Sequence, residues 1–198
     1  MARLADTIVV SLGEEEIHLI PRLRHAMRLE RRPGSFAQLS RGILDGSLTA
    51  TCEIIRDHYD HPMLEARIFD SGLERMKWPL TAYLGQCLGL DPADLSEPAA
   101  DDSKPPKDKP QTTADFLTGL YRIGTGWLGW SPADTLDATP AEIIEAQTGR
   151  MDMFKAIFGD GKKSTKQDSF APFTDKNVAA AFRGLGATIV QPNKEVPK

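Results

Sequence analysis

Cys52, His58 and His61 carry the densest ligand chemistry in the chain. The spacing His58-x-x-His61 brings two imidazoles within reach of one metal ion, and Cys52 would add a thiolate. A tetrahedral site needs a fourth ligand, and none lies nearby. Cys52 also belongs to an apolar helical stripe with Leu48, Ile55 and Tyr59, and His61 precedes Pro62, so no metal site is expected. Gly159-Asp-Gly-Lys-Lys-Ser-Thr165 approaches a phosphate loop, but Ala156 stands where its first glycine belongs. Lys163 replaces the Ser or Thr that follows the loop's lysine, and no strand precedes it; the segment reads as a flexible basic loop. Gly184-Leu-Gly186 has no βαβ context. With no nucleophile–base pair and no ligand set, the chain is not expected to be an enzyme or to hold a cofactor.

Binding chemistry is better represented. Arg22, Arg24 and Arg28, with Arg31 and Arg32, line the polar faces of one short helix. A nucleic-acid face would need base-reading aromatics or amides beside them, and few are present. A solvated face paired with Glu14, Glu15, Glu16 and Glu30, or a docking patch for an acidic protein, is favoured over DNA. Trp127 and Trp130 flank the second chemistry-bearing stretch, where Ser131-Pro132 with Asp134 and Thr139-Pro140 with Glu142 form two helix starts in succession. In each start the hydroxyl caps a backbone N–H, and proline takes the first helical position, where its missing N–H costs nothing. The acid then faces the positive helix end. Tryptophan is enriched at binding hot spots. Trp127 is expected inside and Trp130 partly exposed; Trp127, Trp130, Pro132 and Pro140 join Arg22, Arg24 and Arg28 as candidate partner-binding residues.

The elements that must position these residues are mostly helical. Ile8, Val10 and Leu12 alternate on one side, Gly13-Glu14-Glu15 breaks the run, and Ile17 and Leu19 resume it, which predicts a β-hairpin ended by Pro21. Leu23, Ala26 and Met27 then give a helical stripe stopped by Pro33-Gly34, with Ser35 as the next N-cap. Phe36, Leu39, Ile43 and Leu44 form a second helix closed by Gly46, and the Leu48 to Tyr59 stripe a third. Leu64 and Ile68 mark a short helix ending near Ser71-Gly72. A longer one follows through Met76, Leu80, Tyr83, Leu84, Cys87 and Leu88, in which Pro79 is tolerable only in the first turn.

From Ser96 to Thr112 no apolar side chain exceeds alanine or proline, which predicts an extended linker. Beyond it, Phe116, Leu117, Leu120, Tyr121, Trp127 and Leu128 share a helical face if the helix survives Gly124 and Gly126, where a break is expected. The final helix starts at Pro140 and carries Ile143, Ile144, Met151, Phe154 and Phe158, with Gly149 as a kink or stop. After Gly159 the chain is polar, apart from a stripe of Val178, Phe182 and Leu185 that could fold on a partner. The expected fold is mainly α with an N-terminal β-hairpin (α+β). A hairpin-plus-helices module over 1–95 and a small helical module over 113–158 flank a disordered linker over 96–112, and a mostly disordered tail covers 159–198. The second module is too small to be stable until it docks on something.

Composition narrows the class further. The 198 residues are 40% hydrophobic and 26% charged, so a packed core is expected. A net charge of -4 argues against a general nucleic-acid binder. No apolar run reaches membrane-spanning length and Met1-Ala-Arg-Leu-Ala-Asp-Thr7 lacks a signal-peptide core, so a cytoplasmic protein is expected. Cys52 and Cys87 both sit in apolar helical patterns, as reduced, buried thiols do.

Thr7-Ile-Val-Val-Ser-Leu-Gly13, Arg22-Leu-Arg-His-Ala-Met-Arg-Leu-Glu30 and Ser35-Phe-Ala-Gln-Leu-Ser-Arg-Gly-Ile-Leu-Asp-Gly46 together resemble the tail assembly chaperones of gene transfer agents and related long-tailed phages. Those proteins also open with a hairpin, run into a helix rich in Leu, Glu and Arg, and continue with short helices ending in Gly. Gly129-Trp-Ser-Pro-Ala-Asp-Thr-Leu-Asp-Ala-Thr-Pro-Ala-Glu-Ile143 is similar to the small companion tail protein encoded beside them, marked by an aromatic-Ser/Thr-Pro turn followed by Thr-Pro-x-Glu. Where the companions often carry bulky aromatics after the first proline, this chain has Ala133 and Thr135, so no aromatic contact is carried over there. The resemblance implies a non-enzymatic role in a bacterial host cell: coating and solubilising the tape measure protein and recruiting tail tube subunits. It also implies self-association along the tape measure helix and absence from the finished particle. A helix-turn-helix regulator built from the helices between Arg22 and Tyr59, and an enzyme of unknown class, are the alternatives.

Overall fold

The computed structural model describes residues 7–90 and 112–159. Apart from Thr112 and Gly159, the linker and tail expected over 96–112 and 159–198 lie outside the described residues, as do most of the Gly159 to Thr165 loop, Gly184-Leu-Gly186 and the Val178 to Leu185 stripe. The fold is mainly helical with an N-terminal antiparallel hairpin. In the hairpin, β1 (Ile8–Leu12) pairs with β2 (Glu15–Leu19), Val10 facing Ile17 and Leu12 facing Glu15. Period two sends Val10, Leu12, Ile17 and Leu19 into the core. The turn is Gly13-Glu14, where Gly13 alone has positive φ (69°), as a type II′ hairpin turn requires.

Five helices follow: α1 (Leu23–Glu30), α2 (Ser35–Leu44), α3 (Leu48–Ile55), α4 (Leu64–Ser71) and α5 (Leu73–Cys87). Two local expectations are corrected. Ser35 is not the cap of α2: Gly34 takes the cap position in the left-handed region, Ser35 is already the first helical residue, and the Glu30 carboxylate accepts from the Phe36 N–H at 3.2 Å instead. Pro79 lies in the middle of α5, not in its first turn. A mid-helix proline costs about 3 kcal/mol; the burial of Met76, Leu80, Tyr83, Leu84 and Cys87 along the same helix offsets it.

The later segment contains α6 (Thr113–Arg122), a π-helical turn (Ile123–Leu128), α7 (Pro132–Asp137) and α8 (Pro140–Phe158). Both predicted hydroxyl caps form, Ser131 accepting from Asp134 N–H and Thr139 from Glu142 N–H, and Thr112 accepts from Asp115 N–H in the same way. Thr139 N–H in turn donates to the Glu142 carboxylate at 2.7 Å, completing a capping box. The helix starting there runs through Gly149 without a break. Because Ile143, one turn further on, is fully buried, the box aims α8 as well as starting it. Thr139→Ala should lower stability by about 1 kcal/mol, read as a lower urea midpoint at unchanged slope.

The two segments share one core. Buried residues form a single cluster from Val10 to Ile143 that includes Phe116, Leu117 and Leu120 of α6. The backbone joins them directly, Leu23 N–H donating to the Ala138 carbonyl at 2.8 Å. The second segment has too little apolar surface to stand alone, and it docks on α1 and α5 of its own chain. No helix among the described residues is long and apolar enough to cross a membrane.

Candidate functional site

Four of the five arginines on and around α1 pair with acids of the same chain, Arg22, Arg24 and Arg28 remaining part-exposed. Arg24 meets Asp137 of α7 at 2.8 Å and Arg22 approaches the same carboxylate at 3.6 Å. Arg28 pairs with Asp57 and donates to the Glu53 carbonyl at 3.1 Å, and Arg32 pairs with the Glu53 carboxylate at 2.8 Å. These acids are not the hairpin glutamates that sequence proximity indicated. Glu15 instead takes a bidentate pair of bonds from Arg67 of α4, at 3.0 and 3.1 Å, with the Tyr59 hydroxyl bonded to both partners. That triad clamps the hairpin to α4 and holds the Glu15 carboxyl below its ordinary pKa.

Cys52, His58 and His61 do not converge. Cys52 is buried, its thiol pKa raised by desolvation; the His61 ring stacks on Tyr59 at 5.5 Å. His58 turns inward, Nε2 lying 3.0 Å from the Tyr83 hydroxyl, and its ring meets that of His25 edge-on at 4.8 Å. Among the described residues no three His, Cys, Asp or Glu side chains are grouped to hold a metal. Burial drives the His58 pKa down to about 4 and lowers that of His25, while it raises those of Tyr83 and Cys87. At neutral pH this cluster is uncharged and ties α1, the segment after α3, and α5 together.

Of the aromatic and proline candidates, Trp127 is 60% exposed, against the expectation that it is core. An α-helix continued from Phe116 would place it on the buried face, but the wider π turn takes more residues per revolution and backs it off into solvent. Trp130 is partly buried against the core, as expected, with its N–H on the Gly124 carbonyl at 3.0 Å. Pro132 is exposed. Pro140 is buried where α8 meets the body, which removes it as a partner contact.

A run of exposed apolar residues on a single helix forms a feature that the sequence analysis did not single out as a site. Only the base of α8 is held, by Pro140, Ile143 and the partly buried Ile144. From Thr148 onward the helix is exposed apart from Phe154, and it carries Met151, Met153, Phe154, Ile157 and Phe158, the last two 62% and 76% exposed. The rings of Phe154 and Phe158 stack at 6.1 Å. No protein-family model, curated protein or solved structure matches this chain. Its function is therefore argued from this geometry. The signal for the site was present in the sequence: the stripe from Ile143 to Phe158 is longer than a module of that size can bury.

Proposed function

We propose that the chain is a non-enzymatic assembly chaperone whose task is to cover an apolar helical partner. The observation that carries this reading is the projecting half of α8, where Met151, Met153, Ile157 and Phe158 stand exposed beside the half-buried Phe154 on a well-capped helix. Exposed contiguous apolar surface marks an interaction site or an aggregation hazard. A helix with such a stripe pairs with another amphipathic helix or groove. Taken with the resemblance to tail assembly chaperones, the partner is the tape measure protein, kept soluble in the cytoplasm of a bacterial host until tail tube subunits enclose it. Trp127 and Pro132, both exposed, are the candidate contacts for tube subunits. Arg22, Arg24, Arg28 and Arg32 pair with acids of the same chain, which lowers the net positive charge the α1 face offers to phosphates and makes the helix-turn-helix alternative the weaker reading.

Co-expression tests the proposal directly. The full chain should raise the soluble fraction of the tape measure protein and co-purify with it, and the complex should retain tube subunits. A full chain that leaves the tape measure protein insoluble and binds no tube subunit overturns the reading. A chain ending at Glu97 is not a useful control, because it strips Phe116, Leu120 and Ile143 from the shared core.

A further inference from the structure

Along α8, Ile144, Gln147, Met151, Phe154 and Phe158 follow one another at intervals of three, four, three and four residues, the spacing of a two-helix seam. The first position is anchored: Ile144 packs beside Gly89 at the end of α5, so the seam begins on the body and runs outward. The positions flanking the seam are Thr148, Arg150, Lys155 and Ile157, so both flanking charges are positive. The acids Glu145 and Asp152 fall on the outer face. The Arg150 guanidinium lies over the Phe154 ring, 5.7 Å from its centroid, at the edge of the seam. Lys155 Nζ reaches Asp152 at 3.0 Å, but both side chains are more than half exposed, and such a pair is easily exchanged for a better partner.

This charge arrangement discriminates between occupants. A parallel copy would set Arg150 against Lys155, and an antiparallel copy overlapping the exposed seam would set Arg150 against Ile157 and Lys155 against Thr148. Neither orientation of a second copy gives either cation an acidic partner, which an acid-flanked helix does. We propose that the projecting half of α8 is a docking seam for one amphipathic helix of a partner protein whose apolar stripe is flanked by glutamate or aspartate. The inference rests on the proposed covering function and supplies the chemistry of the partner.

The test uses the full chain and two labelled synthetic helical peptides, identical in their leucine stripe, one flanked by glutamate and the other by lysine, with binding read by fluorescence anisotropy. The glutamate-flanked peptide should bind at least about tenfold more tightly. Arg150→Glu/Lys155→Glu should reverse the preference, and Phe154→Glu/Phe158→Glu should weaken both peptides by about tenfold or more. The charge reversal changes exposed side chains and the phenylalanine variant one exposed and one half-buried side chain on the outer part of α8, so circular dichroism should match the wild type and the thermal midpoint should stay within a few degrees of it. Equal binding of the two peptides, or a preference that survives the charge reversal, overturns the proposal. So does a dimer in sedimentation that Phe154→Glu/Phe158→Glu dissolves, which would make the occupant a second copy. Retention on phosphatidylglycerol vesicles, lost in that same variant while neither peptide binds, would make it a membrane surface and also overturn the proposal. If the full chain solubilises the tape measure protein equally well with and without Phe154→Glu/Phe158→Glu, the seam fails and the chaperone reading stands. Charge-selective peptide binding without solubilisation gives the reverse.

Discussion

Gly124→Ala should destabilise the protein by about 2 kcal/mol, whereas Gly126→Ala, two residues away in the same π-helical turn, should be neutral or stabilising by up to about 1 kcal/mol. On propensity alone both substitutions favour the helix. The difference lies in what each new methyl group meets. A Cβ at position 124 would fall 2.4 Å from Thr135 Cγ2 and 2.7 Å from its Oγ1, whereas nothing lies within 4 Å of one at position 126. Thr135 is fully buried and β-branched, so it has few rotamers in which to retreat. Its hydroxyl is buried without a hydrogen-bond partner, so no bond would be lost if the side chain were shortened. The double variant Gly124→Ala/Thr135→Ala should therefore recover part of the loss, with a coupling of about 1–2 kcal/mol in a denaturation cycle. Additive effects, or equal responses at positions 124 and 126, would show that α7 does not pack on the π turn in this way.

The same contact explains why part of the structure was not legible in the sequence. Alternation at Val10, Leu12, Ile17 and Leu19, and the hydroxyl–proline–acid starts at Ser131 and Thr139, are local signals, and they set the hairpin and two helix starts as expected. Gly124 and Gly126 marked where α6 gives way, but not that the chain continues as a π turn with Thr135 lying against Gly124, and a 3.6-residue periodicity carried through it puts Trp127 on the wrong face. The arginine partners were hidden for a similar reason. Asp137 lies more than a hundred positions from Arg22 and Arg24, and only the docking of the second segment brings it there. Periodicity showed that α8 has an apolar face from Ile143 to Phe158, but not that the body covers only its first turns. Pro79 shows the converse, a strong local signal overridden by the packing of α5.

Stability should fall as the pH is lowered from 7 to 5, by about 2 kcal/mol from His58 alone. In the folded protein His58 has a pKa of about 4, against an ordinary value of 6.5, because burial disfavours the imidazolium and His25, Arg22 and Arg28 repel it. The unfolded chain therefore binds more protons than the native state between these two values, and stability rises with pH across that interval. The contribution is complete above about pH 6.5 and exhausted below about pH 4, reaching about 3 kcal/mol at most. His25 acts in the same direction: burial lowers its pKa, although the Asp57 carboxylate opposes the shift. Protonated His58 carries N–H on both ring nitrogens, so the fully buried Tyr83 hydroxyl, 3.0 Å from Nε2, can only accept there. Glu15, whose folded pKa is depressed, begins to lose its contribution only as the pH falls through the ordinary carboxylate value, while Glu30, raised by desolvation, opposes the histidines on acidification, so the difference between wild type and a His58 variant is what isolates His58. Urea denaturation at half-unit steps should show the slope in the wild type. His58→Gln, which keeps a polar partner for Tyr83 without titrating, should be much flatter even if it is less stable at pH 7. A wild type equally stable at pH 7 and pH 5, or a His58→Gln variant with an undiminished slope, would rule out the buried histidine pair as the source of acid sensitivity.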